Sequence, residues 1–179
     1  MPEDKVAFQH AGIGPIMRRN EGDMVKELVD GDMAPDFELP TDGGGQAHLK
    51  DLKGKPVVIY FYPKDDTSGC TAEAIAFNGL RAKFAAAGAT VIGISPDSAA
   101  SHDKFKRKHD LEIALAADPE RSAIEAYGVW KEKSMYGRKY FGVERSTFLI
   151  DREGRIAKIW RKVKVPGHAE EVLAATKAL

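Results

Sequence analysis

The sequence contains a single cysteine, Cys70, among its 179 residues. A disulfide framework and a zinc site built on paired thiolates both need several cysteines at defined spacing, so both are excluded within the chain. No cluster of histidines and carboxylates has metal-ligand spacing, and no metal is expected. One cysteine without a partner is typical of a protein kept in a reducing compartment.

Net charge and long apolar runs are also absent. Lysine and arginine number 27, as do aspartate and glutamate, so there is no overall attraction to nucleic acids or anionic membranes. No run approaches the roughly 18 apolar residues that span a bilayer, and no secretory or transit signal is recognisable. The glycine-rich stretch at residues 43–45 does not link a strand to a helix, so no nucleotide cofactor is expected. The expectation is a cytoplasmic protein that binds no cofactor, nucleic acid or membrane.

Composition divides the chain into an N-terminal extension, residues 1–29, and one domain, residues 30–179. The extension mixes glycine, proline and charged residues without a sustained period, and it is predicted to lie outside the core with a short helix around residues 24–29. The remainder is regularly punctuated by turn residues. With 43% apolar residues, the chain has enough apolar surface to fold around one core.

Strands and helices alternate along the domain. The run at residues 57–62 has six consecutive apolar or aromatic residues, which is typical of a strand covered on both faces. A helix over 71–87 and a strand over 89–95 follow, and this order predicts a parallel crossover unit. Further elements are predicted at 98–109 (helix), 114–118 (strand), 121–127 (helix), 145–150 and 155–161 (antiparallel hairpin) and 168–179 (helix). The pattern predicts an α/β fold: a thioredoxin-like three-layer domain with a central mixed β-sheet and flanking helices.

Cys70 lies where the apolar strand has ended and the next helix begins. Its sulfur is therefore expected near the free N–H groups and the positive dipole end of that helix, a position that stabilises the nucleophilic thiolate. The alternative is an inert cysteine packed in the core, which is the commoner fate of a lone cysteine. The polar neighbours Asp66, Thr67, Ser68 and Gly69 argue against an inert core position.

The segment YFYPKDDTSGCTAEA resembles the active-site segment of peroxiredoxins, in particular of the peroxiredoxin Q or bacterioferritin comigratory protein subfamily. The resemblance covers about residues 29–179, because GDMAPDFELP, AYGVWKEK, GVERSTFLIDREGRI and VKVPGHAEEVL follow in that family's order. The family's pattern of a proline, a threonine four residues later, a cysteine three residues after that and a distant arginine is matched by Pro63, Thr67, Cys70 and Arg145. The resemblance implies a thiol-dependent peroxidase that reduces hydrogen peroxide and organic hydroperoxides.

Each of these residues has a role that its chemistry supports and the resemblance implies. Cys70 would attack a peroxide oxygen and become a sulfenic acid. Thr67 would offer its hydroxyl and N–H to the peroxide, and Arg145 would hold the thiolate and polarise the O–O bond. Pro63 would shape the loop and shield the sulfenate from water. Glu73, one turn after Cys70, would either orient Arg145 or only complement the helix dipole, and both interpretations stay open.

Two positions depart from the family's pattern. Many members carry a resolving cysteine five residues after the first, where this chain has Ile75, and Ser68 stands where the family usually has proline. Without a second cysteine, the sulfenic acid has to be reduced by an external thiol, for which thioredoxin, glutaredoxin or glutathione are candidates. Ser68 leaves the loop freer to move. Because Ile75 is also a better core residue than cysteine, the helix is expected to stay folded through the catalytic cycle.

Other polar features are interpreted as surface. His102 and His109 are predicted to be solvated side chains on a charged helix. Residues 131–164 carry eleven basic and four acidic residues, which is typical of a solvated face. The alternative is that this region has a function, either as a binding surface for an acidic reductase or as a surface that attracts anionic hydroperoxides. The resemblance leans toward a monomer.

Two rival functions remain. A thioredoxin-like scaffold could sense oxidants or bind partners through Cys70 without turnover, although Pro63, Thr67 and Arg145 together favour turnover. A cysteine hydrolase would need a histidine base, and no histidine has a suitable position in the sequence.

Overall fold

The computed structural model describes residues 16–19 and 23–179. The strands are β1 (Ile16–Arg19), β2 (Asp23–Lys26), β3 (Glu38–Pro40), β4 (Gln46–His48), β5 (Val57–Phe61), β6 (Thr90–Ser95), β7 (Ala114–Ala117), β8 (Trp130–Met135), β9 (Arg138–Val143), β10 (Ser146–Ile150) and β11 (Ile156–Trp160). The α-helices are α1 (Ser68–Gly79), α2 (Arg81–Ala86), α3 (Ala99–His109), α4 (Ser122–Ala126) and α5 (His168–Lys177). No helix in this part of the chain is long and apolar enough to cross a membrane.

A five-stranded mixed sheet, ordered β11-β10-β5-β6-β7, forms the centre of the domain. Strands β5, β6 and β7 are parallel, whereas β10 is antiparallel to β5 and β11 is antiparallel to β10. All five residues of β5 are buried, as expected for a central strand with a layer on each face. The predicted crossover unit and the predicted late hairpin are both confirmed.

Helices and a small hairpin cover the two faces of this sheet. Val57, Ile59 and Phe61 belong to the core on one face, where α4 and the β3–β4 hairpin pack. Val58 and Tyr60 belong to the core on the other face, where α1, α2, α3 and α5 pack. This alternation is the period of two expected for a strand. It produces the predicted three-layer, thioredoxin-like α/β architecture.

The helix predicted over residues 71–87 is in fact two helices, α1 and α2, which meet at Leu80. Leu80 has φ −100° and ψ 3°, in the bridge region of backbone conformations. It follows Asn78 and Gly79, two poor helix formers. The Asn78 side chain also accepts the backbone N–H of Glu112 at 2.7 Å, which ties the break to the loop before β7.

The short helix predicted around residues 24–29 is wrong. Asp23–Lys26 form strand β2, which pairs antiparallel with β1. A helix of about six residues leaves most of its terminal N–H and C=O groups without partners, whereas pairing two short strands satisfies several of them. Of the proposed extension, residues 1–15 and 20–22 lie outside the described residues.

The β8–β9 hairpin has no counterpart among the predicted elements. Its register pairs Trp130 with Val143 and Met135 with Arg138, and it forms a two-stranded sheet of its own. Most of its residues are exposed or half-buried on both faces. The alternation of apolar and polar residues that identifies a strand is therefore weak in its sequence.

Gly93 on β6 leads to a stability prediction. A Cβ at this position would lie 2.6 Å from the ring of Tyr60 and 2.9 Å from Leu115, and both side chains are fully buried. We therefore expect Gly93→Ala to lower the free energy of unfolding by about 1–3 kcal/mol, the usual cost of overpacking. Gly79→Ala is the control, because a Cβ there meets nothing within 4 Å and alanine is the better helix former. Urea unfolding measures both variants, and equal effects would contradict the prediction.

Candidate active site

Cys70 lies in the first turn of α1, directly after the loop that follows β5. The strand ends at Phe61 and the helix begins at Ser68, so the cysteine stands at a strand end and a helix start, as predicted. It is 1% exposed and packs in the same core as Tyr60 and Phe77. An inert core cysteine would be buried in the same way, so the polar contacts of the sulfur distinguish the two interpretations.

Arg145 makes the polar contact to this sulfur. It lies between β9 and β10, and its Nη2 donates to Cys70 Sγ at 3.4 Å. Its Nη1 donates to Glu73 Oε1 at 2.8 Å, so one planar guanidinium is held at two points. Gly69 lies beside it, where a Cβ would be 3.1 Å from Nη2. The structure thus brings Cys70, Arg145 and Glu73 together.

The Glu73 carboxyl group is buried against Arg145. Its side chain is 1% exposed, and its second oxygen, Oε2, has no hydrogen bond. Burial raises the pKa of this carboxyl from 4.5 to about 7, although the charge and hydrogen bond of Arg145 act in the opposite direction. Burial lowers the pKa of Arg145, but Glu73 and Cys70 outweigh this effect and raise it overall. Arg145 is therefore a permanent cation, whereas Glu73 titrates near neutral pH.

Thr67 and Pro63 lie in the loop before Cys70. Thr67 is the N-cap of α1 by its backbone, but its side chain caps no helix N–H. Its exposed hydroxyl instead donates to the carbonyl of Lys64 at 2.9 Å, so the hydroxyl proton is used and the oxygen lone pairs remain available. Pro63 is half-buried at the start of the loop. No described hydrogen bond joins Thr67 or Pro63 to Cys70.

Asp65, in the same loop, is the centre of a buried hydrogen-bond network that the sequence predictions do not contain. Its carboxylate accepts the hydroxyl of Tyr62 at 2.6 Å and that of Ser101 at 2.8 Å. It also lies 2.7 Å from Nδ1 of His102, whose Nε2 lies 3.0 Å from the carbonyl oxygen of Ala116. The network ties the loop to α3 and to β7.

The prediction that His102 and His109 are solvated is therefore wrong for His102. This side chain is 0% exposed and precedes the buried Phe105 by one turn, so both lie on the inner face of α3. His109 lies near the surface, where its Nε2 is 2.8 Å from Asp66 Oδ1 and Lys108 donates to the same carboxylate. Helix α3 thus holds two successive loop aspartates, one in the core and one at the surface.

Ile75 is 50% exposed, so the prediction that it is a core residue is wrong. At about 100° per residue, five residues place it roughly 140° around the helix from Cys70, and Cys70 occupies the buried face. A resolving cysteine at this position would face solvent. It could reach Cys70 only if turns of α1 opened.

The histidines of the described residues bond to groups other than Cys70. Their partners are Asp36 for His48, Asp65 for His102, Asp66 for His109 and Thr147 for His168. Within the same residues, no group of three or more His, Cys, Asp or Glu side chains could hold a metal ion. The chemistry of the site therefore rests on Cys70 and the charges beside it.

Comparison with known proteins places this geometry in a family. The sequence pattern of the AhpC/TSA family matches residues 31–159. Peroxiredoxin Bcp of Bacillus subtilis is 52% identical over 147 residues, covering 82% of this chain and 94% of the relative. Peroxiredoxin Bcp of Escherichia coli is 39% identical over 146 residues, with 82% and 94% covered. The solved structure of Xanthomonas campestris peroxiredoxin Q has a TM-score of 0.76 and 48% identity, covering 79% of this chain and 90% of that chain.

The chain belongs to the AhpC/TSA family, and within it to the peroxiredoxin Q or Bcp peroxiredoxins, as a variant with one cysteine. It is a thiol-dependent peroxidase, as the resemblance of its active-site segment implied. The predicted thioredoxin-like fold is confirmed by the match to the solved peroxiredoxin Q structure.

The raised pKa of Glu73 predicts a pH dependence of stability. The carboxyl has a pKa of 4.5 in the unfolded chain, and burial raises the pKa to about 7 in the folded protein. Between these values the folded state holds a proton that the unfolded state has lost, so the free energy of unfolding falls as the pH rises from about 4.5 to about 7. At about 1.4 kcal/mol per pKa unit, the fall amounts to roughly 3 kcal/mol.

Urea unfolding of the wild type and Glu73→Gln across this pH range checks the prediction. Glutamine does not ionise, so the free energy of unfolding of the variant should lack this part of the pH dependence. The wild type should therefore lose stability relative to the variant steadily as the pH rises from about 4.5 to about 7. Glu153→Gln, at an exposed position, is the control and should follow the wild type. Parallel curves for the wild type and Glu73→Gln would show that Glu73 does not titrate in this range.

Helix α1 is expected to keep its hydrogen bonds when Cys70 is oxidised, because no second cysteine has to be brought to the sulfur. The backbone amides of residues 74–79 should exchange with solvent equally slowly in the thiol and sulfenic acid forms. Hydrogen exchange followed by mass spectrometry, before and after one equivalent of hydrogen peroxide, measures this. A large loss of protection along α1 on oxidation would contradict the expectation.

Proposed function

We propose that the Cys70 thiolate attacks the terminal oxygen of a hydroperoxide. An S–O bond forms as the O–O bond breaks, the leaving hydroxide or alkoxide takes up a proton, and Cys70 becomes a sulfenic acid. The observation that carries this proposal is the Arg145 guanidinium, which bonds both the sulfur at 3.4 Å and Glu73 at 2.8 Å. A fixed cation at this distance favours the thiolate, and it is in place before the peroxide arrives.

Glu73 is proposed as a positioning residue for Arg145. By accepting Nη1 through Oε1, it fixes the plane of the guanidinium so that Nη2 stays directed at the sulfur. The carboxyl is buried and touches only the arginine among the charged residues of the site. Its role is therefore to set the orientation of the cation rather than to contact the peroxide.

Thr67 and Pro63 are proposed to shape the peroxide site. Because the Thr67 hydroxyl donates to the carbonyl of Lys64, its oxygen is left to accept a hydrogen bond from the O–H of a peroxide. Pro63 has a fixed φ and no N–H, so it restricts the loop beside Cys70 and limits the access of water to the sulfenic acid. The bonds from Asp65 to His102 hold the same loop against α3.

The substrates are proposed to be hydrogen peroxide and organic hydroperoxides. Support comes from the bacterioferritin comigratory protein of Xanthomonas campestris, 48% identical to this chain, whose structures concern its alkyl peroxide reduction activity. Turnover requires an external thiol from thioredoxin, glutaredoxin or glutathione: the first thiol forms a mixed disulfide and releases water, and a second thiol restores Cys70. A monomer in the cytoplasm, where such thiols are kept reduced, is the proposed working form.

A redox sensor without turnover is the second candidate function. The observation that favours it is the burial of Cys70, which is 1% exposed, because a small peroxide reaches a buried sulfur more easily than a large thiol does. A cysteine hydrolase is disfavoured, since Cys70 is bonded to Arg145 and to no histidine of the described residues.

Peroxide consumption by the wild type and Cys70→Ser tests the proposal. Hydrogen peroxide and an alkyl hydroperoxide are each supplied with dithiothreitol, with thioredoxin, or with glutathione and glutaredoxin. We expect consumption that needs Cys70 and continues as long as a thiol is present. A single reaction per protein molecule, which no thiol can repeat, would instead establish the sensor.

Arg145→Lys is expected to slow the oxidation of Cys70 by about 100-fold, the size typical of losing one positioned donor in an active site. A lysine ammonium keeps the charge but cannot bond the Glu73 carboxylate and the sulfur in one plane. Arg152→Lys, at an exposed position, is the matched control. Stopped-flow measurement of a single turnover with hydrogen peroxide checks the prediction, and a loss smaller than about threefold would show that the charge alone suffices.

A further inference from the structure

Exposed apolar side chains are concentrated on the β8–β9 hairpin. Of the seven large apolar residues that are exposed in the described part of the chain, four lie here. They are Met135 (56% exposed), Tyr136 (99%), Tyr140 (42%) and Phe141 (54%). Apolar groups scattered singly over a surface are ordinary, whereas a cluster of them marks an interaction site.

The two faces of this hairpin differ in charge. Residues paired across the strands share a face, and successive residues along a strand alternate between faces. One face carries Glu132 with Lys139 at 3.6 Å, and Trp130 stacked on Phe141. The other, which we call the cationic face, carries three basic and two apolar side chains and no acidic one: Lys131, Lys133, Met135, Arg138 and Tyr140.

The cationic face adjoins the active site. Lys133 Nζ donates to the carbonyl of Val143, two residues before Arg145. A Cβ on Gly142 would lie 3.6 Å from both the Lys133 stem and the Tyr140 ring, so both side chains lie against β9 at this position. Burial lowers the pKa of Lys133 and Arg145 adds to the shift, whereas Glu144 and Cys70 oppose it. Lys133 is therefore close to the charges around the reacting sulfur.

The dimensions of the hairpin favour a protein over a small thiol as the occupant. At about 3.3 Å per residue, the six residues of β9 extend roughly 20 Å from the active site to the hairpin tip. A tripeptide thiol at Cys70 cannot also cover Met135 and Arg138 at that tip, whereas a protein interface of about 800 Å² per partner can. The exposed guanidinium of Arg138, on a face whose other charged side chains are lysines, favours a partner with carboxylates around its reacting thiol.

We propose that the cationic face is the docking surface for an acidic dithiol protein that reduces the Cys70 sulfenic acid. This inference rests on the proposed function. One partner thiol attacks the Cys70 sulfur, so that an S–S bond forms and water leaves; the second thiol then attacks that bond, the partner leaves as an internal disulfide, and Cys70 regains its thiol. The cations speed the encounter, and Tyr140 and Met135 supply apolar contacts.

Charge reversal at two neighbouring positions tests the proposal. Arg138→Glu alters the cationic face, and Lys139→Glu makes the same change one residue along on the opposite face. Peroxide turnover is followed with reduced thioredoxin and reduced glutaredoxin as protein probes, and with dithiothreitol as a neutral thiol. We expect Arg138→Glu to raise the KM for the protein thiol about tenfold, which corresponds to about 1.4 kcal/mol. Lys139→Glu, and both variants with dithiothreitol, should stay within about twofold of the wild type.

Equal effects of the two reversals on this KM, or no effect of Arg138→Glu, would overturn the docking surface. Turnover with dithiothreitol but with neither protein thiol would overturn it too, and would leave the peroxidase function standing. Failure of every thiol to sustain turnover would contradict the proposed function itself and the docking surface with it. Sedimentation velocity tests whether a second copy of this chain binds the cationic face instead. If the wild type forms a dimer and Arg138→Glu dissociates it, the face is a dimer interface and the proposal is overturned.

Discussion

The guanidinium of Arg145 bonds a buried carboxylate and a buried sulfur at the same time, and the rest of the site depends on this arrangement. Withdrawing these charges from water costs free energy that their mutual attraction offsets only in part, so the pKa of Glu73 is raised even though Arg145 acts to lower it. The sheet brings the groups together, because β10 pairs with β5 along its whole length and α1 follows β5. Gly69 leaves the room that the guanidinium needs.

The loop that carries the cysteine is held from a second direction by α3. Asp65 is bonded in the core to His102 and Asp66 at the surface to His109, so successive residues of the loop are fixed to one helix. Asp66 has φ 60°, a left-handed conformation that is uncommon for residues other than glycine but that aspartate adopts more readily than most. The β8–β9 hairpin lies near the site as well, because Lys133 donates to the carbonyl of Val143, two residues before Arg145.

Short sequence patterns predicted correctly those features that depend only on residues close together in the chain. The apolar run of β5 and the position of Cys70 at a helix start both follow from neighbouring residues. Burial of His102 does not, because it depends on which face of a strongly basic helix meets the sheet. The same reason explains the wrong prediction for Ile75, whose exposure is set by the packing of α1. The contact of Arg145 with Cys70 was suggested by family resemblance, since no sequence spacing links residues so far apart.

The most direct test of the central claim is the mass of the intact protein after one equivalent of hydrogen peroxide. If Cys70 reduces peroxide through a sulfenic acid, the protein gains one oxygen atom at Cys70, and an added thiol removes it completely. Absence of that gain, or a gain at another residue such as Met135, would contradict the mechanism. Oxygen that no thiol removes would contradict turnover and leave only a thiol that reacts once.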